Sequence, residues 1–288
     1  NPFFEDTKKK RVEWVGQLQG IFVDRNGNLR EDLKQNATLD GLATNDCTDD
    51  PIIEIFYDST SNPKETKLRR YSSSTCDKSS ATVTTHSLSK FKAIWNARDQ
   101  LAAINTPSQQ RVYNTKIDAT PAGGRYIFTS SDGTKGSEVT FDAASINATM
   151  ARYFNVATKP EADDIINFIR GEEGISGLRS RSTDYDDDGV DEVWRLGDIV
   201  HSTPAVAGIP GDNYETLYGD KSYATFKATY YNRRQVVYVG GNDGMIHAFN
   251  GGFFDASTTQ FKLTDSTVTP NPPSHPLGAE LWGYVPYN

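Results

Sequence analysis

The sequence predicts a β-rich α+β fold. It divides into a mixed strand and helix segment over 1–180, an acidic connection over 181–195, and a partial, incomplete β-propeller region over 196–288. Three observations carry this reading. Near the N-terminus, apolar and polar residues alternate and run into Asx/Gly clusters, which marks strands entering turns. In the middle of the chain, apolar residues recur three, four or seven apart, which marks helices. Beyond about residue 195 the pattern is purely β, ending in a hairpin and a Trp-bearing strand that together have the layout of one propeller blade.

Taken in order, Trp14, Val15, Leu18 and Ile21–Val23 form a first strand leading into the Asp24–Asn28 turn. Ile52–Tyr57 and Lys67–Tyr71 form further strands, and the Ser/Thr-rich stretch 72–85 reads as a mobile loop. Helices are predicted over 87–104 (Leu88, Phe91, Ile94, Trp95, Leu101), 143–155 (Ile146, Met150, Phe154) and 160–170, where Pro160 suits a first turn. Arg111–Tyr113 and Arg125–Thr129 read as strands between them. In the C-terminal part, Ile199–Val206 and Gln235–Val239 are strands. The Asn242-Asp243-Gly244 turn then returns the chain through Met245–Phe249, because these turn residues tolerate positive φ. Glu280–Pro286 supplies the Trp-bearing strand. One blade cannot close a propeller of four or more, so this region needs blades from elsewhere.

With 288 residues, two domains are expected. The 38 acidic residues against 30 basic ones give a net charge of −8, which excludes a general nucleic-acid binder needing basic surface to neutralise phosphates. No apolar run is long enough for a transmembrane helix. The chain starts at Asn1 without Met or signal peptide, and reads as a mature product or excised fragment.

Two cysteines, Cys47 and Cys76, sit in polar, turn-like surroundings and outside any C-x-x-C pair. That excludes zinc and haem attachment motifs and predicts one disulfide, hence an oxidising, extracytoplasmic location.

The sharpest chemical feature is Asp184-Tyr185-Asp186-Asp187-Asp188-Gly189-Val190-Asp191-Glu192. Asp184, Asp186 and Asp188 occupy loop positions 1, 3 and 5, with Gly189 at 6 for the sharp bend. Val190 would offer its carbonyl at position 7 and Glu192 its carboxylate at position 9. Six acids in nine residues repel one another without a cation, and an all-oxygen set selects Ca²⁺. Position 12 is Arg195 rather than a bidentate Glu, and Val193–Leu196 looks β, so this is not a helix–loop–helix sensor. The Asp24–Asp32 stretch has a related spacing with its glycine misplaced. An Asx-rich turn is the preferred reading there, with a second metal as the alternative.

Catalytic constellations are thin. His201 and Ser202 are adjacent in a predicted strand and would point to opposite faces. His247, in a hairpin strand, reads as structural, and no nucleophile elbow, H-E-x-x-H or phosphate loop occurs. The chain is expected not to be an enzyme.

The words WVGQLQGIFVDRNGNLRED (14–32), LGDIVHSTP (196–204), VYVGGNDGMIHAFN (237–250) and ELWGYVP (280–286) together resemble the PilY/PilC family of type IV pilus tip-associated proteins. The resemblance implies an extracellular adhesin and pilus-assembly factor with a modified β-propeller, stabilised or regulated by Ca²⁺ through a D-x-D-x-D-G loop. It also implies pilins or minor pilins, the remaining part of the same protein, and a host or surface receptor as partners. The alternative is a processed structural subunit of an extracellular filament or sheath, completed by neighbouring chains through open sheet edges. A quinoprotein-like propeller enzyme is the third reading, set back because its cofactor needs a closed propeller.

Overall fold

The computed structural model describes residues 16–33, 47–62, 64–111, 124–184, 189–255, 260–263 and 274–287. The chain is β-rich with few and short helices, and no sheet closes into a barrel among the described residues.

The N-terminal part is a five-stranded antiparallel meander of β2 (Phe22–Val23), β3 (Leu29–Arg30), β4 (Ile52–Asp58), β5 (Glu65–Ser72) and β6 (Thr82–Ser87). Ahead of it, β1 (Gln19–Gly20) pairs instead with β7 (Trp95–Asn96), placing Leu18 and Trp95 in the main core. The turn between β2 and β3 is built by Asp24, whose Oδ1 accepts the backbone N–H groups of Asn26 (2.8 Å) and Asn28 (2.9 Å). Its carboxylate is thus engaged in an Asx turn. Cys47 and Cys76 are disulfide-bonded, with Cα atoms 5.0 Å apart, tying the entry of β4 to the β5–β6 connection.

The Ser/Thr-rich stretch is ordered rather than a loop. Asp77 caps a 3₁₀ turn at Lys78–Ser80, and β6 pairs with β5 from Thr82 onward because its Thr and Val side chains suit extended backbone. The helix expected over 87–104 shrinks to α1 (Ala97–Ala102). Ile94 N–H and Ala97 N–H donate to Gly20 O and Leu18 O, so strand pairing claims the apolar residues first. Asn96 then starts the helix by accepting from Arg98 N–H.

Next come β8 (Ile127–Ser130), β9 (Glu138–Thr140), α2 (Ala148–Ala151) and α3 (Lys159–Arg170). The 143–155 helix is reduced to α2 and a 3₁₀ turn, ending at Asn155 in the left-handed region. In α3 the expectation holds: Thr158 and Glu161 form a capping box and Pro160 lies in the first turn. A short hairpin follows, β10 (Ser182–Thr183) with β11 (Glu192–Val193).

The largest sheet has seven strands. Its antiparallel run is β12 (Ala205–Ala207), β13 (Gln235–Gly240), β14 (Ile246–Asp255) and β16 (Glu280–Tyr284), with β15 (Gln260–Lys262) on the far end of β14. β16 then pairs in parallel with β8, through Gly283↔Ile127 and Tyr284↔Phe128, and β8 pairs with β9. Strands from before residue 131 and after residue 204 therefore share one sheet.

Two expectations fail in this part. Residues 199–204 are not a strand, because the segment folds onto the β13–β14 turn: Asn242 N–H donates to Asp198 O, and Gly240 N–H donates to Ser202 Oγ at 3.0 Å. Nor is the part after 195 purely β. It contains α4 (Tyr214–Leu217) and α5 (Lys221–Thr229), neither with a buried residue. Asp220 caps α5, and an edge-on contact between the Tyr214 and Tyr223 rings joins the two helices. The Arg111–Tyr113 strand falls largely outside the described residues.

The core has two centres. One joins Leu18, Trp95, Leu101, Leu196, Val237, Val239 and Phe249; the other joins Ile127, Phe141, Ile146, Ile166 and Met245. Buried charge accompanies them, at Arg125, Arg170, His247 and Glu280.

Candidate functional site

The acidic loop is the tip of the β10–β11 hairpin. The register Thr183↔Glu192 sets the ninth loop position opposite the residue that precedes the first. Asp184 Oδ2 accepts the Gly189 N–H at 3.0 Å, folding the first carboxylate back across the loop. Gly189 has φ +89°, the left-handed bend that favours glycine. Val190 is exposed and Glu192 half-buried. Asp186 and Asp188 lie outside the described residues. Among the described residues no group of three or more acid, His or Cys side chains forms a metal cluster. The described part of the loop thus has a left-handed bend at Gly189 and one closing hydrogen bond from Gly189 to Asp184. Arg195, in place of a position-12 ligand, turns inward: Nε donates to Gly171 O at 2.9 Å and Nη1 donates to the carbonyls of Leu101 and Ala102.

The buried layer is built from two of the sequence words and a residue just ahead of β8. Asp243 sits in the Asn-Asp-Gly turn, His247 two turns of the strand pleat later on β14, Glu280 at the head of β16 and Arg125 just before β8. His247 Nδ1 lies 2.8 Å from Glu280 Oε1, and its Nε2 lies 3.0 Å from Asp243 Oδ2. With a carboxylate at each nitrogen, both must carry a proton, so the ring is an imidazolium. Burial opposes that charge, but Asp243 and Glu280 outweigh it and push the group up to about 9. Arg125 donates to Glu280 as a two-pronged pair, at 2.8 and 2.7 Å. Burial again opposes the charges, yet the guanidinium and imidazolium hold the Glu280 carboxyl well below its usual range. Asp243 is likewise lowered: burial works against it, and His247 prevails. Two cations and two anions thus cancel inside the protein.

This layer also gathers backbone. Asp243 accepts from Gly197 N–H through Oδ2 and from Met245 N–H through Oδ1, both at 3.0 Å. Asn242 Nδ2 donates to Asp198 Oδ2 at 2.7 Å. The LGDIVHSTP, GGNDGMIH and ELWGY words are therefore neighbours in space. The sequence marks His247 as structural and Asp243 as a turn residue, and gives Arg125 and Glu280 no role of their own. The available signal was a charged residue entering an otherwise apolar strand, at Arg125 before Tyr126–Phe128 and at Glu280 before Leu281–Trp282. His201 is exposed and does not join this layer.

No helix among the described residues is long and apolar enough to cross a membrane. No family model matches the chain, and no solved structure matches it. Curated relatives do. The chain is 41% identical over 90 residues to the type IV pilus biogenesis factor PilY1 of Pseudomonas aeruginosa strain UCBPP-PA14, covering 30% of this chain and 7% of that protein. It is 43% identical over 93 residues to the PilY1 homolog of Xylella fastidiosa, again 30% and 7% of the two chains. Against PilY1 of P. aeruginosa strain PAK, identity is 32% over 191 residues, 64% of this chain and 14% of that one. These relatives bear out the similarity to the PilY/PilC family read from the sequence words, and the chain spans 7–14% of the length of the curated relatives it matches.

Proposed function

We propose that this chain is a module of an extracellular, pilus-associated type IV pilus biogenesis factor and adhesin, and that its 184–192 loop holds Ca²⁺. The observation that carries the pilus reading is the 32% identity over 191 residues to a protein named for pilus biogenesis. On this reading β12, β13, β14 and β16 are one blade of a modified propeller, whose further blades come from the rest of a longer chain. Pilins or minor pilins are the partners, with a surface receptor engaged at the pilus tip, and no catalysis is involved. Asp184, Asp186, Asp188, Val190 and Glu192 would supply oxygen to the ion, which on binding adds positive charge where six acids repel. The disulfide suits an oxidising compartment.

The test is genetic. In a bacterium carrying the full-length gene, in-frame removal of the stretch encoding residues 16–287 should abolish surface pili while leaving pilin synthesis intact. Normal piliation after that deletion would overturn the proposal.

The second reading, a subunit of a filament or sheath completed by its neighbours, has one observation in its favour. β6 ends its sheet with the uncharged sequence Thr-Val-Thr-Thr-His-Ser, lacking the Lys, Pro or bulge that usually blunts an edge. Light scattering separates the two readings: a monodisperse monomer over a wide concentration range counts against the filament.

A further inference from the structure

The last carbonyls of an α-helix have no partner within the helix. At the end of α3 they meet buried guanidiniums. Phe168 O accepts from Arg181 Nη1 at 2.8 Å, Arg170 O from Arg125 Nη1 at 2.7 Å, Gly171 O from Arg195 Nε at 2.9 Å and Glu172 O from Arg181 Nη2 at 2.7 Å. Three cations on one helix C-terminus also complement its dipole. Their positions in the chain matter as much as their charge. Arg181 stands immediately before β10 and Arg195 two residues beyond β11, so both legs of the acidic hairpin are fastened to the end of α3. Trp194 N–H donates to Arg181 O at 3.0 Å, locking one leg to the other.

Arg125 binds the same helix end and carries the connection onward, to Glu280, then His247, then Asp243. Asp243 accepts from Gly197 N–H, two residues beyond Arg195, so the path closes on itself. Every member is a directional contact, the arginine and Glu280 links are buried or part-buried, and an arginine fork tolerates little displacement.

We infer that Arg181 and Arg195 make the β10–β11 hairpin a handle on the β13–β14–β16 junction: whatever binds at the hairpin steadies that junction through the end of α3 and leaves the five-stranded sheet unaffected. The clamp stands on the contacts above. Its use by Ca²⁺ rests on the metal reading of the loop.

Hydrogen exchange followed by mass spectrometry on the full chain, with and without CaCl₂, tests the inference. In the unsubstituted chain Ca²⁺ should slow exchange across 235–250 by about tenfold, the size of coupling between groups in one network. Exchange across 52–72 should not change. In Arg195→Gln, calorimetry should still show Ca²⁺ uptake while the protection of 235–250 disappears. Protection retained in Arg195→Gln, or protection spread evenly over the chain, would overturn the clamp. Should Arg195→Gln not fold, Arg195→Lys replaces it, keeping the charge and losing the fork. If the unsubstituted chain takes up no Ca²⁺, the metal reading fails and the clamp is judged without metal. Arg195→Gln and His247→Gln, separately and together, should then shift the urea unfolding equilibrium non-additively, and strict additivity would overturn it.

Discussion

The Gly197 N–H donates to Asp243 Oδ2 at 3.0 Å, and this bond joins two sequence words that lie 46 residues apart. The contact is close on all sides: a Cβ added at Gly197 would lie 2.4 Å from Asp243 N and 2.9 Å from its Cβ. Backbone cannot yield there without moving the Asn-Asp-Gly turn. Gly197→Ala should therefore destabilise the chain by about 1–3 kcal/mol, the cost of overpacking a filled interior. Urea unfolding monitored by tryptophan fluorescence reads the change, and an unaltered midpoint would refute the packing argument.

Stability should depend on pH through His247. Its pKa rises from 6.5 to about 9 on folding, against burial and because of Asp243 and Glu280. A raised pKa contributes stability that is complete below the unfolded value and is lost as pH climbs through the folded one. Unfolding free energy should therefore fall by about 3 kcal/mol between pH 6.5 and 9.5. His247→Gln should flatten that slope. Asp243 and Glu280 have the opposite sign: their lowered values contribute stability above the ordinary carboxylate range and lose it as pH drops.

Breaking one ion pair in the buried layer should cost more than replacing it. Arg125→Met strands Glu280 beside a single cation and leaves the Arg170 carbonyl without its donor, so a loss of about 3–5 kcal/mol is expected. Adding Glu280→Leu should recover part of it. Chemical denaturation of the two variants decides, and a double variant weaker than the single one would contradict the account.

Reduction of Cys47–Cys76 frees a chain closure of 29 residues and should lower stability by about 3–4 kcal/mol. Intact mass under non-reducing conditions should show a deficit of two hydrogens. Two alkylatable thiols in the folded protein would contradict the bond and remove one support for export.

How much of this was legible in the sequence depended on distance along the chain. α3 announced itself through Pro160 and the close apolar spacing of Ile165, Ile166, Phe168 and Ile169, and the β13–β14 hairpin through Asn242-Asp243-Gly244. Trp95 misled, because its apolar spacing with Leu88, Phe91 and Leu101 is helical while its partner Gly20 is a strand residue far upstream. The charged layer was hidden for the same reason. His247 and Asp243 are 4 residues apart, but Glu280 lies 33 from His247 and Arg125 lies 155 from Glu280. No local period records a pairing that only the parallel β8–β16 contact brings about. The acidic loop was visible in full as spacing, and the structure adds the Asp184–Gly189 closure and the inward course of Arg195.

Calcium titrated calorimetrically into the intact chain tests the central claim most directly. The account predicts one site with a dissociation constant of about 10⁻⁶–10⁻⁴ M, weaker than a buffer EF-hand because Arg195 replaces the bidentate Glu. At a hundredfold excess over that constant, stability should rise by about 2.7 kcal/mol. Asp184→Ala and Asp188→Ala should each abolish the uptake and the gain, with little loss of stability in the metal-free chain. No heat of binding in the unsubstituted protein, or equal uptake in Asp188→Ala, would contradict it.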